Sequence, residues 1–268
     1  MMDDAGIQSA SVAVATPEPG VRTLTIDRPR RRNALDRATY RALGAALTTA
    51  AAADEVRAVV LTGAGGCFTS GNDLADFRDA EAAPTPADPA ALPASAGLDF
   101  LAVISSFPKP LVAAVEGFAI GIGTTMLLHC DLVHAARDAQ FRLPFVPLGL
   151  CAEGASSYLL PLAAGPKFAA ELLLLGRAFS AEEALRAGIA NSLTDPDAAL
   201  AAAMASARAL AALPAESVRA TKALLRRGTE AAVREAIAAE AVRFHALRGS
   251  QAAQDAFAAF FAQGRSER

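Results

Sequence analysis

The first part of the chain alternates short β-branched runs with longer segments that repeat apolar residues at helical spacing. Apolar runs at residues 11–14 and 21–26 flank a turn-rich Pro-Glu-Pro-Gly segment, so they predict a β-hairpin. A helical pattern begins at Asn33, and the β-branched run at residues 56–62 predicts a buried strand. This order of strand, helix and strand indicates a parallel crossover.

The same alternation continues to about Phe141. The spacing predicts helices over residues 98–106 and 121–129 and strands over residues 111–115 and 132–135. Residues 81–97 are rich in alanine, proline and aspartate, which is typical of a mobile surface loop.

From Gly154 onward the pattern is helical. It predicts helices over residues 155–164, 167–175, 181–187, 198–212, 215–227, 230–247 and 251–261. We therefore divide the chain into an α/β core, residues 1–195, and a helical C-terminal region, residues 196–268. Because helices with exposed apolar stripes often pack on a neighbouring subunit, this region predicts an oligomer.

The composition narrows the class of protein. Of the 268 residues, 53% are hydrophobic, which predicts a sizeable core, and the net charge of −3 argues against a nucleic-acid binder. Three widely spaced cysteines indicate a reducing compartment. The N-terminus lacks an apolar signal core, and no apolar run is convincing as a membrane span. We expect a cytoplasmic protein with no membrane partner.

Glu153 is the only charged residue between Arg142 and Lys167, in a stretch otherwise suited to burial. Burial raises the pKa of a carboxyl group, and a general base near neutral pH needs such a pKa. The alternative roles are a helix cap and a buried ion pair. Glu116 is another lone charge, but its position at a strand end favours a capping role.

Two glycine-bearing turns, at residues 68–74 and 117–125, can present backbone N–H groups to a ligand. Two such amides, one of them at Ile122, could form an oxyanion hole; the alternative is two ordinary tight turns. The second turn imitates a dinucleotide-binding fingerprint, but Met126 replaces its third glycine. The triplet that begins at His129 lacks partner ligands at suitable spacing, so no metal site is predicted.

Five segments occur in the order typical of the crotonase (enoyl-CoA hydratase/isomerase) superfamily, which the chain resembles from about Val21 to Asn191. They are Arg28-Pro29, Asn33-Ala34-Leu35, Phe68-Thr-Ser-Gly-Asn-Asp-Leu74, Lys109-Pro110-Leu-Val-Ala-Ala-Val-Glu-Gly-Phe-Ala-Ile-Gly121 and Cys130-Asp131. The resemblance implies an α/β spiral of ββα repeats with a helical trimerisation region. It also implies a homotrimer or a dimer of trimers that acts on acyl-CoA thioesters, without a separate cofactor.

The resemblance also implies roles for individual residues. The amides of Asn72 and Ile122 would form the oxyanion hole. The residues implied to contact CoA or the acyl thioester are Arg30, Arg32, Ala34, Ser70, Asp73, Leu74, Gly121, Thr125, Phe145 and Lys222. For Lys222, a solvated helix face is the alternative.

Departures from the hydratase pattern bear on the reaction. The two glutamates of the hydratases fall on Thr125 and Phe145, which cannot replace them as acid and base. Glu153 instead matches the single base of the peroxisomal-type Δ3,Δ2-enoyl-CoA isomerases, although Ala152 stands where that subgroup usually has proline. A double-bond isomerase is the main hypothesis. A hydratase or other acyl-CoA lyase, and a non-catalytic acyl-CoA-binding or RNA-binding relative, are the alternatives.

Overall fold

The computed structural model describes residues 11–74 and 95–266, with side chains described to residue 262. A six-stranded sheet has the order β1-β2-β3-β4-β6-β9, and a three-stranded sheet has the order β5-β7-β8. The strands are β1 Val12–Glu18, β2 Val21–Ile26, β3 Ala58–Gly63, β4 Leu111–Val115, β5 Phe118–Ile120, β6 Leu132–Ala136, β7 Gln140–Arg142, β8 Ala178–Ser180 and β9 Ser192–Thr194. The predicted hairpin is the antiparallel pair β1–β2, and the remaining pairs of the large sheet are parallel.

The described helices follow the predicted order. They are α1 Arg37–Ala52, α2 Ala96–Ser105, α3 Ile122–Thr125, α4 Ser156–Ala164, α5 Pro166–Leu175, α6 Ala181–Arg186, α7 Ala199–Ala211, α8 Ala215–Arg227, α9 Glu230–Arg248 and α10 Gln251–Ser266. Short 3₁₀ turns cover Pro29–Arg31, Met126–His129 and Val146–Leu148. Strands β4, β6 and β9 lie in the large sheet and β5, β7 and β8 in the small one, as expected for a spiral of ββα repeats.

The core is contiguous with the first of the C-terminal helices. Ala199, Ala203 and Ala207 of α7 are fully buried in one cluster with Val60 and Val112 of the large sheet. Small side chains let this helix approach the strands closely, because alanine adds only one carbon to the helix surface. The last strand ends at residue 194, and only helices follow in the described residues. The division at 195/196 therefore marks the end of the strands in the sequence, but α7 packs on the sheet as part of the same core.

The helix predicted from Asn33 begins later, at Arg37, so the predicted start was wrong. Asp36 is the N-cap, and its side chain accepts a hydrogen bond of 2.8 Å from the Thr39 amide. Asn33 has a left-handed φ of 54°, and its side-chain amide donates to the Ala64 and Cys67 carbonyls at 2.8 Å. These long-range bonds favour a turn at Asn33 instead of the first turn of a helix.

The short strands of the small sheet were missed, because three residues carry too little periodicity to predict a strand. The predicted helix over residues 121–129 is a short α-helix that continues as a 3₁₀ turn. Within the predicted loop at 81–97, residues 81–94 lie outside the described residues, and Ser95 caps α2. In the described ranges, no helix has the length and apolar character needed to cross a membrane.

Candidate active site

The two glycine-bearing turns lie in direct contact. Thr69 N donates to Phe118 O, and Ile120 N donates back to Thr69 O, each at 3.1 Å. Gly71 has a φ of +82°, and a Cβ at this position would lie 2.4 Å from the carbonyl oxygen of Ile120. Glycine is therefore required at residue 71 both for its backbone conformation and for the close approach of the two turns.

A second set of hydrogen bonds fixes the turn that contains Asn72. Leu35 N donates to Gly71 O at 2.8 Å, and Asp73 N donates to Leu35 O at 3.0 Å. Ile122 is the first residue of α3, after Gly121 at its N-cap. Within residues 11–74 and 95–266, the amides of Asn72 and Ile122 have no hydrogen-bond acceptor. Both N–H groups therefore lack an internal partner in these ranges, as the donors of an oxyanion hole do.

Glu153 lines a cavity of about 380 Å³ that Asn72 also lines. The residue is partly exposed, but its Oε1 atom is buried and has no hydrogen-bond partner in the described residues. Burial, followed by the negative charge of Glu240, raises the pKa of Glu153 to about 8. A carboxyl group in this state can take and return a proton near neutral pH.

The backbone after Glu153 is fixed from three sides. His129 Nε2 donates to the Gly154 carbonyl at 2.9 Å; burial lowers the pKa of His129 to about 4, so the imidazole stays neutral. Gly154 has a φ of +67°, and a Cβ there would lie 2.9 Å from Thr125 Oγ1. Glu240 of α9 accepts hydrogen bonds from the amides of Ala155, at 2.7 Å, and Ser157, at 2.9 Å. These contacts hold the backbone of the loop from Gly154 to Ser157.

Tyr40 of α1 lines the same cavity as Asn72 and Glu153. Its buried hydroxyl donates to the side-chain Oδ1 of Asn72. Burial and then the charge of Glu153 raise the pKa of Tyr40 well above its usual value, so the phenol keeps its proton. Tyr40 thereby orients the Asn72 side chain while the main-chain amide of Asn72 stays available.

The two positions that match the hydratase glutamates are both buried. Thr125 is fully buried, and its hydroxyl lies 3.4 Å from the Ile122 carbonyl. Phe145 is 3% exposed, and its ring lies 3.9 Å from the place where a Cβ at Gly121 would be. Neither residue supplies a carboxyl group, so the described site holds Glu153 without an acid at either of these positions.

The predicted CoA-contacting residues around Asn33 are arranged as follows. Arg30 and Arg32 are exposed, and Arg32 O accepts a hydrogen bond of 3.0 Å from Ser70 N. Ala34 is buried, and its carbonyl accepts from Arg28. The turn at residues 69–73 and the arginine-bearing segment therefore form one surface. The roles of these residues in CoA binding stay predictions.

Two further predicted residues have partners within the protein. The buried Asp73 carboxylate lies 3.1 Å from Arg31 and 3.6 Å from Arg28. Leu74 is partly buried against the main core cluster. The ion pairs of Asp73 thus connect its turn to the segment that carries Arg28 and Arg31. A ligand that contacts the Asp73 carboxylate would have to share it with these arginines.

Lys222 does not lie on a solvated helix face, so that alternative was wrong. Its Nζ atom is buried and donates to the Lys109 carbonyl and to Asp131 Oδ2, each at 2.6 Å. Burial lowers the pKa of Lys222 to about 8, although Asp131 opposes the shift. A contact with CoA stays a prediction, and it would require Nζ to exchange these partners.

The capping role predicted for Glu116 is confirmed. Its two carboxylate oxygens accept from Ala199 N at 2.8 Å and Asp197 N at 3.1 Å, at the start of α7. Tyr40 and Glu240 were both missed as residues of the cavity. For Glu240 a signal existed, because it is the only charged residue between Glu235 and Arg243. That signal is the same one that singled out Glu153.

A family model for enoyl-CoA hydratase/isomerase matches residues 16–267, and the chain belongs to this family. The chain is similar to enoyl-CoA delta isomerase 2 of Rattus norvegicus, with 35% identity over 84% of this chain and 56% of the relative. It is also similar to "Probable enoyl-CoA hydratase EchA17" of Mycobacterium bovis, with 36% identity over 87% of each chain. The structure of Pseudomonas aeruginosa OdaA superposes with a TM-score of 0.87 and 42% identity, covering 94% of this chain and 99% of OdaA.

These similarities confirm the crotonase-type α/β fold with a helical C-terminal region. The chain spans about half the length of the isomerase relatives from rat and human, 56% and 54% respectively. The relatives include both isomerases and hydratases at similar identity, so the reaction has to be argued from the residues of the site.

Proposed function

We propose that the protein is an enoyl-CoA isomerase that moves a double bond from position 3 to position 2 of an acyl-CoA thioester. The observation that supports this proposal is the Glu153 carboxyl group, whose buried Oε1 lacks a partner in the described residues. It shares a cavity with Asn72, while Thr125 and Phe145 occupy the positions of the hydratase acids.

In the proposed reaction the thioester oxygen lies between the amides of Asn72 and Ile122. Glu153 removes a proton from C2 of the 3-enoyl-CoA, and the electron pair spreads over the thioester as a dienolate. The same carboxyl group then returns the proton at C4. One base is sufficient because the proton removed is the proton returned, and no metal or redox cofactor takes part in the proposal.

The two parts of the site contribute separately. An oxyanion-hole donor typically stabilises a transition state by about 3 kcal/mol. A positioned general base typically adds about 10²–10⁴ in rate. With a pKa of about 8, Glu153 gives up its proton only in mildly alkaline solution in the ligand-free site, so kcat/KM is expected to rise as the pH increases toward 8.

Hydration of a 2-enoyl-CoA is the second candidate, because Glu240 is another carboxylate that lines the cavity. Each oxygen of Glu240 accepts a backbone N–H bond, from Ala155 and from Ser157. A carboxylate with both oxygens occupied in this way is a poor proton donor to a substrate. This arrangement favours the one-base isomerisation.

The test uses purified wild-type protein and the Glu153→Gln variant with a 3-enoyl-CoA. We expect turnover to fall by about 10²–10⁴ or more, while calorimetry with a saturated acyl-CoA gives an unchanged Kd. Glu235→Gln, at an exposed position of α9, is the matched control and is expected to keep full activity. Unchanged turnover in Glu153→Gln would refute the assignment.

Labelled water distinguishes the two reactions. Incubation of a 2-enoyl-CoA in H₂¹⁸O introduces solvent oxygen into the product only if the enzyme hydrates it. Isomerisation of a 3-enoyl-CoA gives a product without the label. If neither substrate reacts but the saturated acyl-CoA still binds, a non-catalytic acyl-CoA-binding protein is supported instead.

We further propose a homotrimer or a dimer of trimers. Exposed leucines on α5 and α8 support this assembly, since Leu174, Leu175, Leu224 and Leu225 are each more than 60% exposed. Sedimentation of wild-type protein tests the proposal, and a monomer at micromolar concentration would contradict it.

A further inference from the structure

Glu240 belongs to α9, far along the chain from Glu153, yet its side chain reaches the loop that carries Glu153. Its Oε2 accepts the Ala155 amide at 2.7 Å and its Oε1 accepts the Ser157 amide at 2.9 Å. These amides flank the start of α4, whose first N–H groups have no partner within the helix. One carboxylate therefore both caps α4 and holds Ala155 and Ser157, the first and third residues after Gly154.

The loop needs such an anchor because its backbone is strained. Ala155 adopts a left-handed φ of 59°, which is uncommon for a residue with a Cβ, directly after Gly154 at 67°. A conformation of this kind persists only where the surrounding structure holds it. Without the two bonds to Glu240, Ala155 is expected to relax toward a negative φ and to move the Glu153 side chain.

The charge of Glu240 acts on the same residue. Glu240 is 7% exposed and lines the cavity together with Glu153, in surroundings where charges are weakly screened. Its negative charge disfavours ionisation of Glu153, in addition to the larger effect of burial. Burial raises the pKa of Glu240 above its usual value, and the bonds from Ser157 and Ala155 oppose this shift by favouring the ionised form.

Several other ionisable groups lie near this pair. Cys151 donates a long Sγ contact of 3.9 Å to the Glu240 backbone carbonyl, and its own pKa is raised by burial. Other groups that line the cavity or act on these residues are Arg37, Tyr40 and Arg41 on α1, Asp99 on α2, and Arg243, His245 and Arg248 on α9. In the described residues, Glu240 is the group whose charge raises the pKa of Glu153 after burial.

We propose that Glu240 is a positioning residue for Glu153, which fixes the loop at residues 153–157 and keeps a negative charge beside the Glu153 carboxyl group. The effect of Glu240 on turnover rests on the proposed function. Its effect on the position and ionisation of Glu153 does not. Glu240 does not exchange protons with the substrate in this proposal. It sets where Glu153 lies and the pH at which Glu153 ionises.

The kinetic test compares the pH dependence of kcat/KM for a 3-enoyl-CoA in wild type, Glu240→Gln and Glu235→Gln. Loss of the negative charge should move the acidic midpoint of Glu240→Gln to lower pH, by at least about half a pH unit. The exposed Glu235→Gln on the same helix should retain the wild-type midpoint. Equal midpoints in wild type and Glu240→Gln would overturn the charge effect.

A second variant separates position from charge and serves if Glu240→Gln does not fold. Glu240→Asp keeps the charge but is one methylene shorter, so it cannot reach both amides. We expect the wild-type midpoint with a kcat that is lower by about 10-fold or more, because small displacements of a catalytic group are costly. A wild-type kcat in Glu240→Asp would overturn the anchoring role.

A measurement without turnover distinguishes failure of this inference from failure of the proposed function. The increase in the free energy of unfolding that Glu153→Gln causes is measured at pH 5 and pH 8. It is measured once in the wild-type protein and once in the Glu240→Gln variant. The stabilisation by Glu153→Gln should be larger at pH 8 than at pH 5. This difference should be smaller in the Glu240→Gln variant, because Glu153 then ionises more easily. An equal difference in the two proteins would overturn the inference whatever the reaction is.

Discussion

The Glu153 carboxyl group lowers the stability of the folded protein in a defined pH window, and this follows from its raised pKa. Below about pH 4.5, Glu153 is protonated in both the folded and the unfolded chain, so it contributes no penalty. Between 4.5 and about 8 the unfolded chain loses the proton and the folded protein keeps it. The unfolded state then binds fewer protons, and the free energy of unfolding falls as the pH rises.

The magnitude follows from the size of the shift. The difference between 4.5 and about 8, at about 1.4 kcal/mol per pKa unit, gives an upper limit of about 5 kcal/mol. Because Glu153 keeps partial contact with solvent, we expect about half of this, roughly 2–3 kcal/mol, above pH 8. Glu153→Gln removes this pH-dependent penalty. The variant should be more stable than wild type at pH 8, and its advantage should nearly vanish at pH 5.

Urea denaturation followed by circular dichroism at pH 5 and pH 8, at one protein concentration, checks this expectation. In thermal melts at pH 8 the advantage corresponds to an increase in Tm of about 5–10 °C. Glu235→Gln is the matched control, and its difference from wild type should not depend on pH. If the advantage of Glu153→Gln were the same at both pH values, the inference that Glu153 stays protonated in the folded protein would be refuted.

Two further predictions concern the turns and the buried lysine. A Cβ at Gly71 would lie 2.4 Å from a backbone oxygen of the facing turn, so Gly71→Ala should lower kcat by about 10²-fold or more. Gly44→Ala, which has open space around it in α1, should leave kcat and stability nearly unchanged. Lys222→Met removes the bonds of Nζ to Asp131 and to the Lys109 carbonyl, while Arg226 still pairs with Asp131. It should therefore lower the free energy of unfolding by about 1–3 kcal/mol, measured by urea denaturation. The exposed Lys167→Met is its control, and an equal effect of the two substitutions would contradict the role of the buried ion pair.

Much of the fold could be predicted from local pattern. The predicted helix over residues 215–227 coincides with α8, because thirteen residues give a clear helical period. The strands β5, β7, β8 and β9 are three residues each and exist only because a partner strand is present. The start of α1 was misplaced because Asn33 bonds to carbonyls more than 30 residues away.

The candidate site divides in a similar way. Glu153 could be singled out because one charge in an apolar stretch is unusual wherever the chain folds. Tyr40 could not be placed beside Asn72 in advance, since these residues lie 32 positions apart. Glu240 shows the same isolated charge as Glu153, but nothing in the sequence pairs it with Ala155, 85 positions away.

The sequence alone determined where apolar segments, turns and an isolated carboxyl group occur, because these depend on neighbouring residues and on the cost of burying charge. Only the tertiary structure decided which groups surround that carboxyl. It placed the Glu240 charge in the cavity of Glu153 and locked the two turns together at Gly71. The pKa of about 8 is a property of this assembled environment, since burial and a neighbouring charge exist only after the chain has folded.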